Sequence, residues 1–514
     1  MPPASQASLR VIPGGLEVPG AVVSDRRSTV LRGGPIVRAG RNCWKVARAR
    51  RGSVLVDGAE YFAALENAIR KATRSIVVLG WDFDGRIRLR PDGPEAESPP
   101  LGQLLRAQVE ANPELEVSIL VWSESIIHTP GSTREMLFGA EWQEHPRISV
   151  KLDTYHPIYA AHHQKIVTID DCLAFSGGMD LTVGRWDRTP HLAHDPLRVD
   201  PDGKSYPAVH DVQMLVDGDA ACALAEVAKD RWRNATGGGA PLDCDCPRDH
   251  WPDGLEPDFV DVDVAVARTL PDYLDTEPVR EAADLTIDAI ESARDTIYIE
   301  AQYMTSALLG AVLESRLKAL DGPEIVVVMA HECHGIVEKW VMGTNRDRLI
   351  RRLRKADRYG RLRILYPAVW DDDEETQVFV HSKVIVVDDR FLRVGSSNLN
   401  NRSIELDTEC DVAVEARNGA EARAVGRVRD RLIGEHIGVA PERLALEIER
   451  RGSLVAAIEA LGGGRQRLMP FEAMSDEGPS TPVPGTRLLD PVRPYRILRL
   501  WDRFWRERKR KRVR

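Results

Sequence analysis

Two short stretches of the chain carry the same three polar residues at the same spacing: His163, Lys165 and Asp170 in HQKIVTID, and His381, Lys383 and Asp388 in HSKVIVVD. One H-x-K-x4-D could arise by chance; two copies point to a duplicated active site. Side chains alternate across a strand, so in each copy imidazole and ammonium share one face, while the aspartate falls on the other or in the following turn. Paired imidazoles and paired ammonium groups suit a phosphodiester. One imidazole attacks phosphorus, the other protonates the leaving oxygen, and the cations hold the non-bridging oxygens. An unperturbed imidazole titrates near pH ~6.5, so near neutrality one copy can be nucleophilic while the other is protonated; the spacing does not say which. Lysine on an apolar strand is costly unless it meets a negative partner, which assigns Lys165 and Lys383 to phosphate binding. Within these two catalytic motifs Asp170 and Asp388 are given a structural part, pinning the turn after each motif strand.

The surrounding elements repeat too. Each motif runs into a turn of small residues, Gly177-Gly178-Met179-Asp180 in the first copy and Gly395-Ser396-Ser397-Asn398 in the second. Asn398 and Ser396 could add neutral donors to the phosphoryl oxygens, a role closed to an ionised Asp180. Upstream, Ala68-Ile69 and Ala289-Ile290 each read as the end of an amphipathic helix entering a strand, SIVVLGWDF and TIYIEAQYM. A second apolar strand follows in each half, VSILVW and IVVVMA, and after the motifs come strands beginning at Asp211 and Asp411, each leading into a helix. Strands alternating with helices predict parallel-rich α/β layers. The motif strands, IVTI and VIVV, are apolar on both faces and belong in the middle of a covered sheet. The predicted fold class is α/β: two similar halves, each a mixed β-sheet flanked by helices, packed face to face about a pseudo-twofold axis with both His-Lys pairs at the seam. Residues 43–234 and 261–440 are read as the halves and the Gly-, Pro- and Asp-rich residues 235–260 as the linker. Residues 1–42 and 441–514 are extensions, and the tract 470–494 is loop-like.

This doubled H-x-K-x4-D, each followed by a G-[GS]-x-[DN] turn, resembles the phospholipase D superfamily over residues 43–435. HHQKIVTIDD…AFSGGMDLTVGRWD and GSSNLNNRS…DTE look most like its lipid-hydrolysing branch. The resemblance implies that His163 is the nucleophile, forming a phosphohistidine, and His381 the acid. It also implies an orienting carboxylate for each histidine: Asp211 in VHDVQML, and Glu409 in LDTECDV. Alignment of the halves with each other instead pairs Asp211 with Asp411; the D-T-E pattern favours Glu409. The activity implied is hydrolysis of glycerophospholipids to phosphatidic acid and a free head-group alcohol, with transphosphatidylation when another alcohol replaces water. A cardiolipin synthase-type phosphatidyltransferase and a nucleic-acid phosphodiesterase are the alternatives within the superfamily, and a non-catalytic lipid-binding protein lies outside them.

Composition narrows the class. With 43% hydrophobic and 29% charged residues the chain reads as a soluble globular protein. Lacking a long apolar run and a basic, apolar leader, it is expected in the cytoplasm as a monomer. Seven cysteines do not suggest a disulfide framework, and Cys244 with Cys246 is too small a set for structural zinc. The net charge is −9, yet residues 503–514 hold eight Lys or Arg against one Glu. That run, after Trp501, Phe504 and Trp505, could lie on an anionic membrane surface. The acidic remainder argues against nucleic acid as a partner; the partner expected is a phospholipid. No cofactor and no metal are expected in the chemistry. His331-Glu332-Cys333-His334 looks metal-like but lacks partners, and the acidic run from Asp371 to Glu375 lacks EF-hand spacing and reads as a solvated loop.

Overall fold

The computed structural model describes residues 33–94, 97–122, 139–157, 159–239, 248–274, 276–331, 343–371, 374–472 and 490–492. In the first half the strands run in the order Ile148–Asp153, Glu116–Trp122, Ser75–Gly80, Ile166–Ile169, Leu173–Gly177, Val212–Asp217, Lys45–Val56. The second half repeats that order with Leu362–Asp371, Glu324–Met329, Thr296–Ala301, Lys383–Val387, Phe391–Gly395, Glu409–Glu415 and Phe259–Leu270. Only the first three strands of each series are parallel; from the motif strand onward the sheet is an antiparallel meander. The predicted parallel-rich layers thus stop at the motif strand, which is joined to the next by a tight turn, Asp170 to Cys172 in the first half and Asp388 to Arg390 in the second, a link open only to antiparallel neighbours.

The long strands Lys45–Val56 and Phe259–Leu270 pair antiparallel, Lys45 opposite Val266 and Gly52 opposite Phe259. The two sheets are therefore continuous as well as stacked. Outer cores lie under the helices of each half, around Tyr61, Phe62 and Leu65 in one and Leu285, Ile290 and Leu313 in the other. Between the halves lies a shared core that includes Val212, Met214, Val384 and Val412, closed by the helices Gly218–Thr236 and Gly419–Ile437. Both helices end on a left-handed glycine, Gly237 at φ 74° and Gly438 at φ 66°, a conformation that costs glycine least.

The motif strands are buried along their whole length, as their two-faced apolar pattern requires. The described part of the linker region opens with the end of the helix Gly218–Thr236 and closes with the start of the strand at Phe259. Beyond the second half, the helices Pro441–Arg451 and Leu454–Leu461 lead to a strand, Gln466–Pro470, that pairs with Leu362–Asp371. The acidic run is not simply a loop: Asp371 ends one strand and Glu374–Gln377 forms the strand paired with it. Asp371 meets Arg465 at 2.9 Å, and Glu375 accepts from the Tyr366 hydroxyl. His331 stacks on Tyr366 and Phe471; residues 332–334, Cys244, Cys246 and the basic tail lie outside the described residues. Cys172 is disulfide-bonded, which the sequence did not suggest, whereas the buried Cys43 and Cys410 are free thiols. Among the described residues no helix is long and apolar enough to cross a membrane.

Candidate functional site

The sheet strands of the two motifs begin only at Ile166 and Lys383, so the histidines are not placed by a shared sheet strand as the alternation argument supposes. Each sits on a segment held by the opposite half. The His163 N–H donates to Thr408 O at 3.0 Å, and the His381 N–H donates to His210 O at 2.8 Å. Beside these, Thr408 N–H donates to Ala161 O in one segment and Phe379 N–H donates to Ala208 O in the other. His162, beside the motif, is fully buried against Thr408 and Asp153.

This bridging crosses the carboxylates over. His163 Nδ1 lies 2.9 Å from Glu409 Oε2, and His381 Nδ1 lies 2.7 Å from Asp211 Oδ2. Each imidazole is thus oriented by a carboxylate from the other half. The same geometry separates Glu409 from Asp411. Thr408 and His210 accept equivalent bonds, which makes Glu409 the counterpart of Asp211. In the sheets Gly395 stands opposite Asp411 and Gly177 opposite Gln213, so Asp411 corresponds to Gln213. Asp411 is occupied elsewhere, with Arg393 at 3.3 Å and the Ser397 N–H at 3.1 Å.

Both lysines are buried. Lys165 Nζ lies 3.3 Å from Asp180 and donates to His163 O; Lys383 Nζ donates to Gln302 and to His381 O. Asp180 therefore neutralises Lys165, and it also accepts from the Trp81 N–H. Ser396 is turned away from the role of phosphate donor expected for it. Its hydroxyl donates to Glu409 Oε2 at 2.5 Å and accepts from the Cys410 N–H, while Ser403 donates to the other oxygen at 2.7 Å. Asn398 is buried, with its Oδ1 free of hydrogen-bond partners. Asp170 and Asp388 lie apart from this group, both at positive φ in the turn after the motif strand. Asp170 accepts from the N–H groups of Thr73, Arg74 and Ser75 and from His250. Asp388 repeats this with Arg294, Asp295 and Thr296. Each carboxylate thus ties the end of its motif strand to the entry of the neighbouring strand.

Burial, followed by the charges of Lys165 and Lys383, holds the His163 imidazole well below its ordinary value. His381 is lowered in the same way by burial, Lys383, Arg185 and Lys165, with a further push from His163. Those mutual influences place both histidines and both lysines in one electrostatic site. Burial raises Asp211, and lifts Glu409 to about 7 against its serine hydrogen bonds and the two lysines. Burial also pulls Lys383 down, opposed by Asp211 and aided by Lys165. At neutral pH both imidazoles are therefore neutral. A neutral ring donating from Nδ1 to a carboxylate carries its lone pair on Nε2.

Four contributors escaped the sequence reading: Arg185, Gln302, Ser403 and the pairing of Asp180 with Lys165. Arg185 acts on His381, Lys383 and Asp211, and its Nε is buried without a hydrogen-bond partner. It stands in the string GRWD that follows the first turn, and Gln302 in the string EAQY at the end of a strand; both were visible, but nothing local marks them as facing the site.

Fold and site together define a duplicated α/β protein with two crossed histidine–carboxylate pairs and two buried lysines at the join of its halves. The Phospholipase D family model matches residues 68–251, and the model described as "Cardiolipin synthase, PLD-like domain" matches residues 286–427. The chain belongs to the phospholipase D superfamily. It is 25% identical over 465 residues to Phospholipase D A of Dictyostelium discoideum, covering 75% of this chain and 35% of that one. Phospholipase D1 of Schizosaccharomyces pombe is 21% identical over 498 residues, with the same coverage, 75% and 35%. The chain thus spans about a third of the length of these relatives. Among solved structures, phosphatidylserine synthase of Haemophilus influenzae shares the fold, with a TM-score of 0.51, 12% identity, and coverage of 80% of this chain and 97% of that one.

Proposed function

We propose that the protein cleaves the head-group phosphodiester of glycerophospholipids through a phosphohistidine, releasing the alcohol and passing the phosphatidyl group to water or to a second alcohol. The observation that carries this reading is the crossed pairing of two neutral imidazoles, each held through Nδ1 so that Nε2 is free. His163 Nε2 attacks phosphorus, forming a P–N bond as the P–O bond to the head group breaks. His381, which takes a proton from solvent on Nε2 once the anionic diester offsets the cations that depress it, gives that proton to the departing oxygen. Neutral again, His381 takes a proton from the incoming water or alcohol, whose oxygen displaces His163 from phosphorus. Lys165 and Lys383 hold the non-bridging oxygens, with Arg185 and Asn398 as further donors. Asp211 and Glu409 keep each ring in the right tautomer and support its charge.

The test is incubation with mixed phospholipid vesicles and a primary alcohol in the presence of chelator, with identification of the lipid products. Phosphatidic acid together with the phosphatidyl alcohol is the expected outcome, abolished by His163→Ala and by His381→Ala. General acid or base catalysis alone contributes about 10² to 10⁴. A histidine variant with normal turnover and an unchanged melting curve refutes the two-histidine mechanism. A second reading, phosphatidyl transfer to a lipid alcohol, is favoured by the match of the second half to a cardiolipin synthase-type model. It predicts diphosphatidyl product from phosphatidylglycerol in place of phosphatidic acid.

A further inference from the structure

Behind the His381 side of the site lies a second cluster of ionisable residues that the chemistry above does not use. We propose that Asp57, His191, His210 and Glu435 form a closed, four-ligand site for one divalent cation of the zinc class, joining the two halves.

The four residues come from distant points of the chain and all are buried. One ligand atom from each lies within 4.8 Å of the others. His191 Nε2 is 2.8 Å from Glu435 Oε1 and 3.4 Å from Asp57 Oδ2; His210 Nδ1 is 3.0 Å from both Glu435 Oε1 and Asp57 Oδ1. Zinc bonds to nitrogen and oxygen of about 2.0–2.2 Å place tetrahedral ligand atoms roughly 3.3–3.5 Å apart. These distances, 2.8–3.4 Å, have to open by up to ~0.7 Å to receive the ion. Two imidazole nitrogens with two carboxylate oxygens suit zinc better than magnesium or calcium, which prefer oxygen alone.

Three further observations point the same way. First, each ring has its outer nitrogen already engaged by another carboxylate: His191 Nδ1 by Asp187 at 3.0 Å, and His210 Nε2 by Glu300 at 3.0 Å. A histidine that binds a metal through one nitrogen characteristically gives the N–H of the other to a carboxylate. Those outer carboxylates are themselves fixed, Asp187 by Arg198 and the Val209 N–H, Glu300 by the Tyr298 hydroxyl and His436. Second, Asp57 Oδ2 is buried and makes no hydrogen bond, with only the His191 ring near it at 3.4 Å, room that a bound cation would use. Third, Asp57 is held at φ 65°, and the following Gly58 leaves no room for a Cβ, which would lie 2.4 Å from Arg185 O. Backbone strain of this kind is retained where the surroundings demand it. Among the described residues, the four buried carboxylates Asp57, Asp187, Glu300 and Glu435 have a guanidinium only at Asp187, from Arg198, so the rest of the balancing charge comes from the imidazoles or from a bound cation.

All four ligand positions are filled by protein and buried, so the part of the site is mechanical. The His381 N–H donates to His210 O, and the Asp57 N–H donates to Asp211 O. An ion bound here fixes the backbone that carries Asp211 and ties the helix Gly419–Ile437 to the first half.

The decisive measurement is the metal content of the full-length protein, expressed with zinc in the medium and gel-filtered in EDTA. About one zinc per chain is expected, since a fully enclosed ion exchanges only on unfolding. Protein refolded with cobalt should show the intense visible absorption of a tetrahedral site, and refolding with zinc instead of EDTA should raise the melting temperature by about 5 °C or more. Asp57→Asn and His191→Gln should each lose the ion. Should those variants fail to fold, the wild-type measurements stand alone. Folded wild-type protein that holds no stoichiometric zinc, and whose melting temperature is the same after refolding with zinc or EDTA, overturns the proposal and leaves a network of protonated histidines and carboxylates.

Discussion

Asp211→Asn should be far more damaging than Glu409→Gln, although each replaces the carboxylate on a histidine with an amide of the same shape. Asp211 Oδ2 faces His381 Nδ1 at 2.7 Å, while Oδ1 accepts from the Val212 N–H at 2.8 Å. An asparagine must keep its oxygen on that backbone donor, because turning the NH2 group toward it would set donor against donor in a buried site, at about 1–3 kcal/mol. Its NH2 then faces His381 Nδ1. The ring is forced to accept at Nδ1 and carry its proton on Nε2, and the charged form, with N–H on both nitrogens, is excluded. A wrong tautomer of this kind costs about 10⁴ in turnover in a serine-protease triad. Glu409 is different: its second oxygen meets the Ser403 hydroxyl, which can accept as well as donate. Glutamine at 409 can therefore put NH2 on Ser403 and keep its oxygen on His163. Only the charge is lost, which we place at about ten- to a hundredfold. The two variants should then differ by roughly 10², or about 2.7 kcal/mol of transition-state stabilisation. Turnover on a short-chain, monomeric phosphatidylcholine measures the ratio, ring nitrogen shifts by NMR report the tautomer, and melting curves confirm folding. Equal losses, or Asp211→Asn within tenfold of wild type, would refute the assignment of the hydrogen-bond directions.

Lys165→Met removes a charge that depresses both histidines, so their values rise and the acid limb of kcat/KM, where the nucleophile becomes protonated, should move to higher pH; an unmoved limb would separate Lys165 from the titrating group. Asp170 would be raised by burial, but His250 and the surrounding donors bring it down to about 2. Its stabilising contribution, about 2 kcal/mol, is present above pH ~4 and lost as pH falls toward ~2. Asp170→Asn should lower the melting temperature at pH 7 and flatten its acid dependence, and a variant as acid-sensitive as wild type would argue against this. Gly178→Ala places a Cβ 2.1 Å from Asp211 Oδ1, so it should displace the carboxylate from His381 and reduce turnover by about 10²; normal kinetics would mean that the turn yields instead of the carboxylate.

The paired motifs were legible because their spacing is local. Strand, turn and small-residue pattern fall within a few residues of each histidine, and the repeat in a second place gives each copy its meaning. What the sequence could not carry was register across the join. Alignment of the halves paired Asp211 with Asp411 because both begin similar apolar strings, yet the sheets set Asp411 opposite Gly395 as Gln213 is set opposite Gly177. Which carboxylate meets which ring depends on backbone bonds between residues as far apart as His163 and Thr408, and no periodicity encodes these. Ser396 shows the same limit: a hydroxyl in a turn of small residues can serve a ligand or a neighbour, and Glu409 claims it. The strands Lys45–Val56 and Phe259–Leu270, which join the sheets, carried alternating charged and apolar residues and were absorbed into the halves without a role.

The crossing of His163 to Glu409 and of His381 to Asp211 means that neither half owns a complete catalytic unit. A protein with one such half would have to pair with a copy of itself, and every substitution in it would strike both sides of the site at once. In a single chain that constraint is absent, and equivalent positions differ: Asp211 against Glu409, Gly178 against Ser396, Asp180 against Asn398. The two imidazoles can thus have different surroundings, as the roles proposed for them in attack and in proton delivery require.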